Sequence, residues 1–335
     1  MLTASSRAMN GMLERSASIT VDVIIPVFNE QDVLGLLFER LRSVFRAERL
    51  EAHGISRVHF VFVDDGSTDE SAPRISQAIA AGLPATLLRF SRNFGHQSAV
   101  SAGLAESRAD VVAVIDADLQ DPPELVFEMI DRWRGGFDVV YARRRRRKEG
   151  LLKRAGYWLF YRAVAFLSDV KVPLDSGDFC LLDRRVARAI TELPETLRFP
   201  RVLRAWVGFR QTGVDYDRPA RMAGRAKYDL AKLYRLATDG VVSASVRPLQ
   251  VAQVFSVSYL LVILVLGLFA LFRFPSGLGI PTWALVIYLL ILSGNFVQVF
   301  CIYILGAYVG RTYLEAKGRP SYLIMEVVGR REGDG

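Results

Sequence analysis

Apolar and polar positions along this chain follow two rhythms before residue 142 and a third near its end. Ile19–Val27 (ITVDVIIPV) is a β-branched apolar run closed by a proline and the polar word Phe28-Asn29-Glu30, which predicts a buried strand ending in a functional loop. Val33–Phe45 repeats leucine and phenylalanine at helical spacing, and Val58–Val63 (VHFVFV) predicts a second buried strand that ends in Asp64-Asp65-Gly66-Ser67. Ser71–Ala81 reads as another helix, Ala85–Phe90 as a third strand, and Val111–Ile115 as a fourth strand ending at Asp116. Strands alternating with helices predict an open, mostly parallel α/β sheet. Ligands of such sheets lie outside the carboxyl ends of the strands, where Asn29, Asp65 and Asp116 all fall.

Beyond Asp138-Val139-Val140-Tyr141 the segments become amphipathic and basic. Leu233, Leu236, Ala237 and Val241 share one helical face opposite Lys232, Arg235 and Asp239, and Leu151–Leu167 mixes Trp158, Phe160 and Tyr161 with Lys153, Arg154 and Arg162. These suit helices lying in a membrane interface, with surface helices packed on the sheet as the plainer alternative. From Pro248 to Phe272 no charge appears, and after Arg273 none recurs until Arg311. Each stretch is long enough to cross about 30 Å of hydrocarbon as a helix. The expected organisation is a flexible segment over 1–18, a catalytic α/β domain over 19–247, two membrane helices over 248–310 and a cytoplasmic tail over 311–335.

Composition sharpens this only where position is added. Of the 335 residues 51% are hydrophobic, with the surplus in the C-terminal stretch, and the net charge of +8 leaves nucleic acid, anionic lipid and phosphorylated substrates open. The basic groups cluster at Arg143–Lys148, at Lys153 and Arg154, and at Arg218, Arg221, Arg225 and Lys227, ahead of the membrane segments. Beside a bilayer they favour anionic headgroups and phosphorylated lipids, and nucleic acid is not expected as a partner. A solvated basic face stays open for the arginine run. The N-terminus lacks the apolar run of a signal peptide, and Arg247, Arg311, Lys317 and Arg319 outweigh Arg273 in the connection. Both flanks are therefore expected in the cytoplasm, in a multi-pass protein of the inner membrane. Cys180 and Cys301 sit in unrelated contexts, so no disulfide is expected, and three histidines argue against a histidine-rich metal site.

Asp116-Ala117-Asp118 places two carboxylates two residues apart at a strand end, where both can approach one site. Without thiol or imidazole partners they favour a hard divalent cation, Mg²⁺ or Mn²⁺, able to bridge a diphosphate. Gln120 can add an oxygen ligand, and Pro122-Pro123 fixes the chain as it leaves. A dinucleotide-binding dehydrogenase is disfavoured, because no Gly-x-Gly-x-x-Gly follows the first strand.

The words IPVFNE (25–30), VDDGSTD (63–69), RNFGHQSAVSAGL (92–104), DADLQDPPE (116–124), DSGDFCLLDRRV (175–186), RVLRAWVGF (201–209) and RMAGRAKY (221–228) together resemble glycosyltransferase family 2, and within it the polyprenyl-phosphate glycosyltransferases. The resemblance runs from about residue 19 through both apolar stretches. It implies a nucleotide-sugar-binding GT-A fold and transfer with inversion in one displacement. Carried over residue by residue, it assigns Pro26, Phe28, Glu30, Asp65 and Arg92 to the donor and Asp116, Asp118 and Gln120 to the metal and diphosphate. Asp175 and Asp178 fall near the reacting centre, orienting acceptor or sugar hydroxyls. A phosphate monoester has a second pKa near 6, so the acceptor needs no strong base.

Arg143, Arg162, Arg201, Arg221 and Lys227 are the candidates that neutralise acceptor phosphate or donor diphosphate, each with a structural ion pair as the alternative. Two positions depart from the family's pattern: Val202 stands where relatives have glycine, and Ala226 where they have serine. The leading expectation is glucose from UDP-glucose passed to undecaprenyl phosphate. GDP-mannose or an aminoarabinose-type donor, and an inactive partner of a lipid-sugar flippase, are the alternatives. Gly306, Gly310, Asn295 and Gln298 on the second apolar stretch predict a homo-oligomer, with packing on the first stretch as the alternative, and a flippase is a further partner.

Overall fold

A computed structural model describes residues 18–144, 176–195, 198–217, 247–273 and 280–329. The flexible segment expected over 1–18, all but its last residue, and the interfacial helices around 151–167 and 233–241 lie outside these residues. So do Asp175, Arg162, Arg221 and Lys227. The described residues belong to two compact units, one holding the sheet and including the segment from Pro320, the other holding the apolar helices.

Eight strands, β1 (Ile19–Val27), β2 (Ile55–Asp64), β3 (Ala85–Phe90), β4 (Val111–Val114), β5 (Val139–Arg144), β6 (Ser176–Asp183), β7 (Gln211–Tyr216) and β8 (Ile324–Val328), form one sheet in the order β7-β5-β6-β4-β1-β2-β3-β8. Strands β4, β1, β2 and β3 run parallel, as do β5 and β7. β6 is antiparallel to both β4 and β5, and β8 to β3, so the sheet is more mixed than the early alternation predicts. The early strands are continuously apolar because both sheet faces are covered. On one face Val21, Val23 and Ile25 pack under α1 (Gln31–Val44), α3 (Ser71–Ala80) and α5 (Leu125–Arg134); the short α2 (Ala47–Ala52) precedes β2. On the other, Ile24, Val61 and Val63 pack under α4 (His96–Glu106) and α6 (Arg184–Thr191), with α7 (Pro200–Trp206) adding Leu203.

Two polar or rigid residues inside β1 have local explanations. The buried Asp22 carboxylate accepts the Ser107 hydroxyl at 2.6 Å and the Arg108 and Ala109 amides beyond α4. Pro26 lies in a strand with neighbours on both sides, where a missing N–H ordinarily breaks the ladder. The β4 partner ends at Val114, opposite Ile24, so no β4 residue is paired with Pro26. Helix α4 escapes a reading by periodicity because it is built of small residues buried on most sides, Ala99, Ser101, Ala102 and Gly103 among them. A Cβ on Gly103 would lie 2.3 Å from the Ile24 side chain, so the helix rides almost on the strand. The helix begins at His96, whose ring lies 3.9 Å from Asp116, just beyond β4.

The second unit contains α8 (Arg247–Arg273) and α9 (Ile280–Ala316), within which Arg247–Val265 and Leu290–Ala316 are apolar and long enough to cross a membrane. The helices pack antiparallel: Phe255 meets Phe300 edge-on, Ser256 lies 3.5 Å from Cys301, and the Tyr259 hydroxyl donates to the Leu290 carbonyl. Gly294 opens the gap that admits the Tyr259 ring. Packing between the two stretches thus uses Gly294, whereas a Cβ on Gly306 or Gly310 would meet no neighbouring atom within 4 Å among the described residues.

Candidate active site

The loops after β1 and β2 are locked into one piece. Asn29 adopts a left-handed φ of 55°, which asparagine tolerates, and its side-chain oxygen accepts the Thr68 amide at 2.9 Å. Its own N–H donates to the Ser67 hydroxyl at 3.0 Å, Glu30 N–H to the Ser71 hydroxyl at 2.9 Å and Gln31 N–H to the Asp69 carboxylate at 3.2 Å. Burial would raise the Asp69 carboxyl, but the bonds it accepts from the Ser71 hydroxyl and amide and from the Gln31 N–H hold it below its ordinary range. The clasp carries Pro26, buried at the end of β1, Phe28, exposed at the rim, and Glu30 on one rigid edge.

Asp65 is a strut. Its buried carboxylate accepts the Phe94 amide at 2.7 Å, the Gly95 amide at 3.0 Å and the Asn93 side-chain amide at 2.9 Å. Burial lifts its pKa against those bonds; the neighbouring Asp64 adds to the rise and His96 opposes it. Gly66, at φ 71°, is where the loop after β3 crosses: a Cβ there would stand 2.4 Å from the Arg92 carbonyl carbon. Arg92 lies over the Phe94 ring at 4.0 Å and donates to the Asn93 carbonyl. Both of these expected donor residues therefore also build the loop that delivers His96.

The loop after β4 gathers acid. Leu119 sits at φ 58°, a conformation an apolar side chain rarely adopts and one that turns the chain between Asp118 and Gln120. Asp118 is buried and accepts the Gln120 amide at 3.1 Å, while buried Asp121 accepts the Tyr216 hydroxyl at 2.7 Å. Asp116 is pushed up to about 7 by burial and by the charge of Asp121, with Asp178 and Asp118 adding to it and His96 opposing. Among the described residues no three His, Cys, Asp or Glu side chains close into a ready-made metal cage. Asp116, crowded by the charges of Asp121, Asp178 and Asp118, nevertheless offers with them the oxygen donors that suit a hard cation.

Tertiary structure adds the other half of the site. Val114 pairs with Cys180 across the antiparallel β4–β6 ladder, so Asp116 and Asp178, each two residues further in opposite chain directions, arrive at the same edge. Asp178 accepts Arg201 at 3.1 Å and 3.3 Å and the Gln97 amide at 3.4 Å, and His96 Nε2 lies 3.4 Å from it and 3.9 Å from Asp116. Burial would raise the Asp178 carboxyl, but the Arg201 and His96 charges outweigh it and hold the group far below the ordinary carboxylate range. The same contacts raise His96 against its own burial, with Arg201 opposing. Behind them Arg204 is buried, its guanidinium 5.5 Å from the Tyr141 ring and 3.5 Å from the Gly177 carbonyl.

Of the residues expected from sequence, Asp116, Asp118, Gln120, Asp178 and Arg201 converge, with Asp65 and Arg92 supporting them from the loop beside. Arg143 differs: it forms a two-pronged ion pair with Asp215, at 2.5 Å and 3.1 Å, across the β5–β7 register. His96 and Gln97 are the residues that sequence reasoning passed over. Their signal was their place inside the word RNFGHQSAVSAGL, from which only Arg92 was singled out.

A family model described as glycosyl transferase family 2 matches residues 22–191. An uncharacterized glycosyltransferase of Synechocystis sp. is 38% identical over 315 residues, 93% of this chain and 96% of that protein. A bactoprenol glucosyl transferase of Shigella phage SfX is 37% identical, covering 91% of this chain and 98% of its own. Among solved structures, a mannosyltransferase from Pyrobaculum calidifontis in complex with GDP-Man and Mn²⁺ is 15% identical with a TM-score of 0.45, covering 95% of this chain and 86% of that one.

Proposed function

The chain belongs to glycosyltransferase family 2, and we propose that it moves a glucosyl group from UDP-glucose onto a polyprenyl phosphate with Mg²⁺ or Mn²⁺. The observation that carries this reading is the acidic loop Asp116–Asp121 at the carboxyl ends of parallel strands, in a chain that matches bactoprenol glucosyl transferases over almost its whole length, apolar helices included. Its mixed α/β sheet resembles that of the GT-A glycosyltransferases.

In this reading Asp116, Asp118 and Gln120 hold the cation, which when bound neutralises the departing nucleoside diphosphate. The Gln120 amide pins Asp118, so the carboxylate is oriented before any ligand arrives. Phe28, Pro26, Glu30, Asp65 and Arg92 line the donor side. Asp178 holds Arg201 and His96 in place, and those two cationic groups face the acceptor phosphate; Arg143, Arg162, Arg221 and Lys227 belong to the same assignment, and Asp175 to the reacting centre beside Asp178. With its oxygens already engaged by three donors, Asp178 orients and does not abstract a proton.

Strand β8 rejoins the catalytic sheet a few residues after α9 ends at Ala316. A chain that leaves the sheet, crosses twice and returns to it opens both ends of its hairpin on one membrane face. We place that face in the cytoplasm, on the side of the nucleotide-sugar pool, from the basic residues Arg247, Arg311, Lys317 and Arg319 that flank the hairpin. Open space at Gly306 and Gly310 supports self-association through α9, and a flippase is the natural consumer of the product.

The test offers UDP-glucose, GDP-mannose and a UDP-aminoarabinose donor with undecaprenyl phosphate to the full chain in lipid, and identifies the product by mass spectrometry. A glucosylated lipid phosphate from UDP-glucose is expected. A product from another donor alone would overturn the sugar assignment, and turnover of none would favour an inactive flippase partner.

The raised pKa of Asp116 has a pH consequence. A carboxyl that is protonated more readily in the folded state adds stability at low pH and loses it as pH rises through about 7. A cation restores what is lost, because it takes the deprotonated form. Mn²⁺ should therefore raise the unfolding temperature more at pH 8 than at pH 6, and its half-saturating concentration should rise about tenfold per pH unit below 7. Equal shifts at both pH values would show that Asp116 does not bind the cation.

A further inference from the structure

The segment that follows the apolar helices is bonded to the loop that carries the active site. Its strand β8 adds to the sheet edge at β3, pairing Leu88 with Val327 and Phe90 with Ile324. Just ahead of it, Tyr322 lies flat on Phe90, ring centres 5.1 Å apart and planes within 11°, and Phe90 meets Phe94 edge-on at 5.7 Å. The Leu323 carbonyl accepts the Ser91 amide at 3.0 Å, and Glu326 stands 3.6 Å from Arg89, itself 3.5 Å from buried Asp64. Phe94 and Gly95 are the amides that cap Asp65, and the next residue is His96, which reaches Asp116 and Asp178.

We propose that Tyr322 and β8 are positioning elements of the active site: they clamp Phe90 and Ser91, and through Phe94 they set the loop 91–95 from which His96 is presented. This rests on the glycosyl-transfer reading for its effect on catalysis and on geometry alone for the clamp. The chemistry is that of offset aromatic packing, which fixes ring position through area and geometry. No hydrogen bond of the Tyr322 hydroxyl is needed, so phenylalanine should serve as well.

The experiment uses the full chain in lipid particles, with Tyr322→Ala and Tyr322→Phe beside the wild type. Hydrogen exchange of the 91–96 amides is read by mass spectrometry and transfer is read by steady-state kinetics. Tyr322→Ala should speed exchange at 91–96 while leaving β1 and β4 amides protected, and should lower kcat/KM for the donor about 10- to 100-fold through misplacement of the loop. Tyr322→Phe should restore both. Unchanged exchange at 91–96 would overturn the proposal, and so would exchange rising evenly across the sheet, since that is general destabilisation. Exchange does not depend on turnover: a wild type inactive with every donor would sink the transfer reading and leave the clamp to be judged by the amides.

Discussion

Replacing Asp118 with asparagine should lower the turnover of sugar transfer by about 10²- to 10³-fold and leave the unfolding temperature nearly unchanged, the magnitude expected when one preorganised electrostatic contact to developing charge is lost. The asymmetry follows from what Asp118 does in the fold. One of its oxygens accepts the Gln120 amide at 3.1 Å, a bond that an asparagine oxygen can still accept, so the turn through Leu119 keeps its support. The side chain is buried and equal in size to asparagine, so no cavity opens. What disappears is a charge beside Asp116, and with it the grip on a divalent cation. Excess chelator should reproduce the loss in the wild type, and added Mn²⁺ should reverse it there while rescuing the variant poorly. Full activity in chelator would remove the metal from the mechanism. Full activity of Asp118→Asn in the presence of metal would remove only Asp118.

A second large effect is expected at Asp178. Asparagine there deprives Arg201 and His96 of their shared counter-charge. Hydrogen bonds to charged groups contribute about 1.5–3 kcal/mol, and the half-exposed Arg201 side chain puts this pair toward the lower end. The pH window has a definite sign. Because the Asp178 carboxyl is held low, its contribution is present above the ordinary carboxylate range and is lost only in strong acid. Because His96 is held high, its contribution is complete below its unfolded value near 6.5 and fades as pH rises through the folded value. The gap in unfolding temperature between wild type and Asp178→Asn should thus be widest at about pH 5–6.5.

Kinetics separates this anchoring role from proton abstraction. An acceptor phosphate is already largely a dianion above about pH 6. The acidic limb of the rate profile should therefore survive in Asp178→Asn, with the turnover uniformly lower and the requirement for polyprenyl phosphate higher. A limb that vanished with the carboxylate would make Asp178 a general base instead.

The strands and first helices were legible because their information is local. The β-branched runs at 19–27, 58–63 and 85–90 needed only burial on both faces, and β1 and β3 have the predicted bounds. The polar words after each strand were legible for the same reason: a parallel sheet puts successive strand ends on one edge, so Asn29, Asp65 and Asp116 had to share it. Helix α4 was not legible, since a helix of small residues pressed against a strand carries no apolar stripe to read.

What lay beyond the sequence was pairing between distant segments. Arg143 was expected to meet phosphate or a structural ion pair, and the β5–β7 register supplies an ion-pair partner that no local pattern names, Asp215, 72 residues away along the chain. His96 and Gln97 carried no assigned role until the antiparallel direction of β6 brought Asp178 to the edge they face, 81 residues on from Gln97. The stretch over 311–335 was expected only as a cytoplasmic tail, and its residues Ile324–Val328 form β8, paired with β3. Sequence alone determined which segments become strands, which loops hold the carboxylates and which stretches are apolar enough for a membrane, because burial and backbone preference act within a few residues. Only tertiary structure decided which charge meets which, because an ion pair depends on register and strand direction, and these are set by the packing of the whole sheet.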